Sequence, residues 1–267
     1  CIRDSFLLHR YRHFNGDLTK GLYIVPCELI DNNGDELHRC VKRLAEVHHL
    51  EEGFMTWLDE ANTFTNTLVD RIVPGYPAKR IEEFTNQFGY LDKNMVLGEV
   101  FHLWVIEDRN GISSVLKGAE ANLNILFVKD IKPYKIRKVR ILNGLHTLMV
   151  PVSYLYGIDT VGETMNDDLM LTFLNHTVED EMIPATERYL TADELRQFAK
   201  EVYDRFNNPR VRHELMSIAL NSTSKFKSRL LPTALDYVER FGKFPTHIEF
   251  SLASLLAVSY THLTLPT

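Results

Sequence analysis

Three polar residues interrupt an otherwise apolar segment near the middle of the chain. They are Lys138, Asn143 and His146, in the segment KVRILNGLHTLMVPV. A lysine whose charge is disfavoured by burial can act as a general acid/base near neutral pH. An asparagine amide can donate a hydrogen bond to a carbonyl oxygen that gains negative charge, and a neutral histidine can orient a hydroxyl or carbonyl group. Together these residue types could move a proton to or from a substrate oxygen.

The apolar spacing in residues 136–150 predicts an α-helix. At about 100° per residue, Asn143 lies about 140° and His146 about 80° around the helix axis from Lys138, so all three fit one sector. The alternative is a core helix with a lysine that extends to solvent, a tolerated asparagine and a hydrogen-bonded histidine. Spacing alone leaves both interpretations open.

The composition is that of an ordinary globular protein. The chain has 267 residues, 45% hydrophobic and 25% charged, which suffices for one large domain or two modest ones. A net charge of −6 provides no basic surface for nucleic acid or an anionic membrane. No apolar run reaches the roughly 18 residues of a membrane span. Cys1, Cys27 and Cys40 form no even disulfide set, which favours reduced thiols in a cytoplasmic protein.

The pattern of apolar residues changes after Pro133. Before it, strand-like runs at 21–27, 63–66, 99–108 and 123–131 alternate with helical segments, the clearest being 34–50. After it, the patterns are helical and are broken by glycine and proline. The sequence therefore predicts an α/β domain over residues 1–135 and a largely helical domain over 136–257.

Both ends of the chain have unusual features. The first residues already fit a helix, and the last ten, VSYTHLTLPT, switch abruptly to unpatterned sequence. We therefore expect an N-terminally truncated fragment, with a non-native tail at 258–267 that lies outside the fold.

Four ordered motifs resemble the mannitol dehydrogenase family, the polyol-specific long-chain dehydrogenases. KVRILNGLH matches its Lys-x4-Asn-x2-His signature, and TFTNTLVDRIVPG its Asn-x3-Asp-Arg-Ile-x-Pro segment. VPCELIDNNGD is similar to its turn after a strand, and SKFKSRLLPT to its late basic segment. PCELID and EVFHLWVIE look closest to members that act on hexuronates.

The resemblance implies a fold and a reaction. The fold would be the C-terminal part of a Rossmann-type nucleotide-binding domain followed by a mostly α-helical substrate domain. The reaction would be zinc-independent hydride transfer between NAD(H) and a keto or hydroxy carbon of a small sugar acid. Lys138 would be the general acid/base, Asn66 and Asn143 would polarise the keto oxygen, and His146 would position the substrate. A polyol dehydrogenase of the same family and an inactive remnant remain alternatives.

A sugar-acid substrate also requires a fixed cation for its carboxylate. Lys225 and Arg229 are candidates beside Lys227, and a solvated basic face is the alternative for all three. Arg71 follows Asp70 next to Asn66, where a structural ion pair is the first interpretation and contact with an anion is the second.

The cofactor site is incomplete in sequence terms. No G-x-G-x-x-G motif occurs in the chain, so the turn that would hold the pyrophosphate of NAD is missing. Cys27 and Glu28, at the carboxyl end of a strand, are expected to border the nicotinamide. The chain alone is expected to bind NAD weakly or not at all, and NAD versus NADP preference and oligomeric state stay open.

No metal site is expected. No Cys/His cluster has catalytic zinc spacing. His9 and His13 could share a helix face, but surface pairs are the favoured interpretation for them and for His48 and His49.

Overall fold

The computed structural model divides into two compact units. It describes residues 2–73, 75–117, 122–210 and 212–264. Unit 1 comprises Cys1–Arg71 and His102–Lys132, and unit 2 comprises Ile72–Phe101 and Pro133–Thr267. Residues 72–101, which the sequence places in the first domain, thus belong to the same unit as the helical half.

Unit 1 contains short strands and helices. Its helices are α1 (Ile2–His13), α2 (Asn33–Val47), α3 (Glu52–Ala61) and α5 (Ile112–Val115), and its strands are β1 (Tyr23–Ile24), β2 (Thr63–Phe64), β3 (Thr67–Asp70), β4 (Leu103–Glu107) and β5 (Ile125–Val128). β1 and β2 pair in parallel, in register Tyr23 with Thr63. β4 is the centre of a second sheet, antiparallel to β3 and parallel to β5.

The core of unit 1 is small and aromatic. Phe54, Trp57 and Leu58 of α3 are at most 1% exposed and pack with residues of α1, α2 and β2. At the start of α2, Gly34 is required by close packing, because a Cβ there would lie 2.3 Å from the carbonyl oxygen of Thr65. The first turn of α2 is therefore held directly against the loop between β2 and β3.

Unit 2 is helical, as the sequence after Pro133 predicts. Its elements are α4 (Ile81–Phe88), α6 (Lys132–Arg137, which begins at the last residue of unit 1), a first π-helical segment (Lys138–Asn143), α7 (Gly144–Tyr156), α8 (Val161–Met165), α9 (Asp168–His176), a second π-helical segment (Thr177–Met182), α10 (Ile183–Thr186), α11 (Ala192–Phe206), α12 (Leu215–Ala219), α13 (Ser222–Arg229), α14 (Leu231–Phe241) and α15 (Thr246–Thr264).

α7 lies at the centre of the unit 2 core. Leu145, Leu148 and Met149 are fully buried and pack with residues of α11, α12, α13 and α15. Surrounding helices begin at sequence-encoded caps, since Thr160 and Thr191 each form a capping box with a glutamate three residues later. α7 ends at Gly157, whose φ of 94° suits glycine.

α15 runs further than the sequence suggests. It continues to Thr264, through the first part of the segment 258–267 that was expected to lie outside the fold. No proline or glycine precedes Pro266 there, and each added helical residue gains a hydrogen bond. Residues 265–267 lie outside the described residues. Among the helices described, none is both long and apolar enough to cross a membrane.

Candidate functional site

The segment with Lys138 and Asn143 is a π-helix, not the α-helix that its apolar spacing predicts. π-Helices form hydrogen bonds over five residues and often lie at functional sites. In this wider helix five residues make little more than one turn, so Lys138 and Asn143 lie closer to the same side than in an α-helix, which would separate them by about 140°. The wider turn thus improves the arrangement that the sequence suggested. Both side chains are half-buried.

His146 lies one turn further on, in α7, and is only 7% exposed. Its ring stacks on Phe206 at a centroid distance of 4.1 Å and meets the ring of His213 edge-on at 5.2 Å. Within the described part of the chain, its Nε2 has no hydrogen-bond partner. Burial, reinforced by the neighbouring His213 and by the positive charges of Arg229, Arg205 and Lys225, holds the pKa of His146 well below its ordinary value. The imidazole is therefore neutral at physiological pH.

Two of those cations lie on α13, which packs against α7. Lys225 Nζ donates to the carbonyl oxygen of Ile218 at 2.7 Å, and Arg229 donates to Thr147 Oγ1 at 3.2 Å. Burial lowers the pKa of both, and Arg229 also lowers the pKa of Lys225. No carboxylate among the described residues pairs with either. Two partly desolvated cations without a counter-ion suit an anionic ligand.

Arg205, the third cation, is neutralised. Its side chain forms hydrogen bonds of 2.8 to 3.2 Å with Glu99, and both are at least 93% buried. Glu99 also accepts the backbone N–H of Ile72 at 2.6 Å. The ring of Phe101 lies 4.1 Å from the Arg205 guanidinium. This ion pair fixes the end of α11, where Phe206 supports His146.

Asn66 lies in unit 1, between β2 and β3, and its amide is fully hydrogen-bonded. Its Oδ1 accepts the backbone N–H groups of Gly34 and Asp35 at 3.0 and 3.1 Å, in the first turn of α2. Its Nδ2 donates to Asp35 Oδ2 at 2.8 Å and to Glu107 Oε2 at 2.9 Å. Arg109 pairs with both carboxylates and holds the pKa of Asp35 below its ordinary value. The orientation of the Asn66 amide is thereby fixed.

Cys27 and Glu28 follow β1 in unit 1, at its carboxyl end. They border an open pocket of about 510 Å³ that is also lined by Ile24, Val25, Pro26 and Leu37. Burial, together with the charge of Glu28, raises the pKa of the Cys27 thiol. The loop is tied to α2 because Asn33 Nδ2 donates to the carbonyl oxygens of Pro26 and Glu28 at 3.0 and 3.1 Å.

The remaining sequence candidates are placed as follows. Arg71 is exposed and directly follows Asp70, which is 3% exposed at the end of β3. Lys227 is exposed on α13. No group of three potential ligands for a metal ion occurs among the residues that the structure describes, and the rings of His9 and His13 lie 6.4 Å apart.

Unit 2 thus collects Lys138, Asn143, His146, Lys225 and Arg229 around α7, while unit 1 holds Asn66, Cys27, Glu28 and Arg71. Sequence reasoning missed the surroundings of these groups. His213 lies in a segment for which the sequence predicted only a helical pattern. Glu99 and Arg205 are 106 residues apart, so the sequence does not indicate that they pair. The one usable signal was the polar segment at the start of α2, whose Asp35 accepts a hydrogen bond from Asn66.

Two family models match the chain. They are the mannitol dehydrogenase Rossmann domain over residues 4–117 and the mannitol dehydrogenase C-terminal domain over residues 130–262. The altronate oxidoreductase of Bacillus subtilis (strain 168) is 47% identical over 252 residues, which are 94% of this chain and 52% of that protein. That of Escherichia coli O6:K15:H31 is 47% identical over 251 residues, with the same coverage. The chain spans about half the length of these curated relatives.

Two solved structures share the fold. A substrate-free D-sorbitol dehydrogenase gives a TM-score of 0.74 at 24% identity, covering 88% of this chain and 47% of that one. The ternary complex of Pseudomonas fluorescens mannitol 2-dehydrogenase with NAD and D-mannitol gives 0.66 at 23% identity, covering 87% and 46%. The expected fold class, part of a Rossmann-type domain followed by a mostly helical domain, is confirmed.

Proposed function

Since the chain belongs to the mannitol dehydrogenase family, we propose that it carries the proton-transfer and substrate-binding groups of an NAD-dependent tagaturonate reductase, or altronate oxidoreductase. The reaction is reversible hydride transfer between NAD(H) and a keto or hydroxy carbon of a hexuronate or hexonate. The substrate is a small sugar acid, and the location is the cytoplasm, with which the free thiols Cys27 and Cys40 agree.

The observation that carries this choice of substrate is the pair Lys225 and Arg229. Both are partly desolvated, and neither pairs with a carboxylate among the described residues. A hexuronate brings the missing negative charge, whereas a polyol does not. The neutral His146 beside them adds a hydrogen-bonding group without adding positive charge.

Proton transfer is assigned to the first π-helical segment. Lys138 gives a proton to the substrate oxygen during reduction and takes it back during oxidation. Asn143, on nearly the same side of the helix, donates an N–H to that oxygen as it gains negative charge. His146 positions the substrate. Arg71 is retained as a second candidate for contact with an anion.

Asn66 is the second amide donor in this proposal. Its two N–H groups are already used, so it must exchange one partner before it can donate to a substrate. Asp35 is the partner to be exchanged, because its side chain is 52% exposed and that of Glu107 only 18%. Asn143 therefore carries the larger share of carbonyl polarisation.

The reduced cofactor, NADH, would supply the hydride for reduction of the substrate, and NAD would accept it during oxidation. The pocket at the carboxyl end of β1, where Rossmann folds bind dinucleotides, fits the nicotinamide end, and Cys27 and Glu28 would border it. The sequence has no glycine-rich turn for the pyrophosphate. A version extended to the length of the curated relatives is therefore the form to assay.

The test of substrate class is turnover of that extended version with tagaturonate, fructuronate, fructose and mannitol. Tagaturonate is expected to give the highest kcat/KM. A preference for fructuronate would indicate a fructuronate reductase, and turnover of mannitol without either uronate would indicate a polyol dehydrogenase. Absence of turnover with all four would support an inactive remnant.

The role of Lys138 has a separate test. Lys138→Ala is expected to lower kcat by about 10²- to 10⁴-fold, the usual worth of general acid/base catalysis. Lys132→Ala, an exposed lysine at the start of α6, is the matched control and should leave kcat unchanged. Near-normal turnover of Lys138→Ala at neutral pH would remove the lysine from this role.

A further inference from the structure

A second imidazole lies beside His146 in unit 2. The ring of His213 meets that of His146 edge-on, with an interplanar angle of 80° and 5.2 Å between centroids. His213 is half-buried, and neither ring forms a hydrogen bond with another residue in the described ranges. Two neighbouring imidazoles therefore keep their hydrogen-bonding capacity for something other than the protein.

The backbone fixes the position of His213. Its carbonyl oxygen accepts the N–H of Val161 at 3.0 Å, and Leu215 N donates to the carbonyl oxygen of Asp159 at 2.9 Å. A β-bridge between Thr160 and Glu214 lies between these two bonds. The residue is thus held on both sides by main-chain contacts, and within the described ranges its ring needs no side-chain hydrogen bond to be placed.

The positive charges around His146 favour binding of an anion beside it, and they favour the neutral form of a neighbouring imidazole such as His213. His146 is surrounded by the positive charges of Lys225, Arg229 and Arg205, and only Arg205 has a carboxylate, Glu99, among the described residues. A neutral imidazole adds one N–H donor to such a site without repelling the cations. Burial lowers the pKa of His213, which keeps the ring in that neutral form.

The space behind the ring is too small for a sugar acid. A cavity lined by His213, Arg205, Glu99, Phe206 and Asn208 measures only about 10 Å³, roughly the room for one water molecule. A ligand must therefore meet His213 on the part of the ring that remains accessible.

We propose that His213 is a further substrate-contacting residue, whose N–H binds the carboxylate end of the sugar acid and selects it over an uncharged polyol. The inference rests on the proposed function of the same site. His213 adds a neutral hydrogen-bond donor to the two cations, Lys225 and Arg229. The cations then recognise the charge of the carboxylate, and the N–H of His213 recognises its orientation.

The test is ligand binding by this 267-residue chain, with altronate as the probe and mannitol as the uncharged control. His213→Phe keeps the ring and removes both nitrogens, and it should weaken altronate binding by about ten- to a hundredfold, the worth of a hydrogen bond to a charged group. His213→Gln keeps an N–H donor and should retain most of the affinity. Mannitol binding should not change in either variant.

His176→Phe is the matched control. That histidine also lies in unit 2, but it is exposed and its ring contacts Asp180. Imidazole NMR signals provide a second readout, since altronate, but not mannitol, should shift those of His213 in the unaltered chain. Circular dichroism verifies that each variant is folded.

The outcomes separate the two proposals. Altronate binding that is equally tight in His213→Phe and the unaltered chain overturns the role of His213 and leaves the proposed function intact. An unaltered chain that binds mannitol but not altronate overturns the proposed substrate class, and the role of His213 with it. Binding of neither ligand overturns the assignment of a sugar-acid site to this part of the protein.

Discussion

Replacing Glu99 by glutamine removes the counter-charge of Arg205 with little change of shape. The carboxylate is 4% and the guanidinium 7% exposed, so neither charge is compensated by bulk water. A glutamine oxygen can still accept the N–H of Ile72, and the ring of Phe101 remains beside the guanidinium. Breaking a buried ion pair on one side typically costs 3–5 kcal/mol, and because these contacts survive we expect about 3 kcal/mol here.

The assay is urea unfolding followed by far-UV circular dichroism, since unit 2 is largely helical. Both tryptophans, Trp57 and Trp104, belong to unit 1, so tryptophan fluorescence follows that unit separately. The control is Glu214→Gln. Its partner Arg212 lies 3.5 Å away, and both side chains are more than half exposed, so a loss below about 1 kcal/mol is expected.

A double variant distinguishes a lost charge from a lost side chain. Glu99→Leu combined with Arg205→Met replaces the pair by apolar groups of similar size and should be far more stable than Glu99→Gln, because no uncompensated charge remains. A Glu99→Gln chain within 1 kcal/mol of the unaltered one would refute the reasoning, and so would a double variant that is less stable than the single one.

Two further predictions concern buried groups of unit 2. Glu181 accepts the backbone N–H groups of His247 and Ile248 at the start of α15. Glu181→Ala should therefore lower the free energy of unfolding by about 3 kcal/mol. The control Glu179→Ala, at an exposed residue, should lower it by less than about 1 kcal/mol, and urea unfolding measures both. The pKa of His146 is lowered well below 6.5, so below that pH the unfolded chain takes up a proton that the folded chain does not. Stability should therefore fall, by up to about 1.4 kcal/mol per pH unit, as pH drops from 6.5 towards the folded-state pKa, and be unaffected by this group above 6.5. Urea midpoints measured across this range should decline less in His146→Gln, and an equal decline would contradict the assignment.

Motifs located the family and the fold class because they are local. The Lys-x4-Asn-x2-His spacing lies within one helical stretch, and the change from alternating to helical patterns at Pro133 is visible residue by residue. Both conclusions are confirmed by the domain models. The roles of Lys138, Asn143 and His146 stay predictions.

Contacts between distant segments could not be read from the sequence. Glu99 stood in a predicted strand and Arg205 in a helix, and nothing in either segment indicates the other. The four hydrogen bonds of Asn66 depend on where β2, α2 and β4 meet, which no spacing rule gives. Likewise, the position of His213 follows from a bridge to residues 159–161.

The π-helical geometry of residues 138–143 could not be predicted from the sequence either. Apolar residues at i, i+3 and i+4 are compatible with an α-helix and with a short π-helical segment inside one. The structure suggests what stabilises the wider turn. Arg140 is 7% exposed, pairs with Asp236 at 2.5 Å, donates to the carbonyl oxygen of Ala185 and lies over the ring of Tyr189.

Next to this turn, a Cβ on Gly144 would meet Met182 of the second π-helical segment at 3.4 Å, so the two segments pack closely. Arg140, inside the first π-helical segment, and Gly144, next to it, therefore help to hold that segment in place. Because a π-turn is rarely stable by itself, its retention requires this packing. In the proposed function, this packing holds the half-buried Lys138 and Asn143 in place for contact with the substrate oxygen.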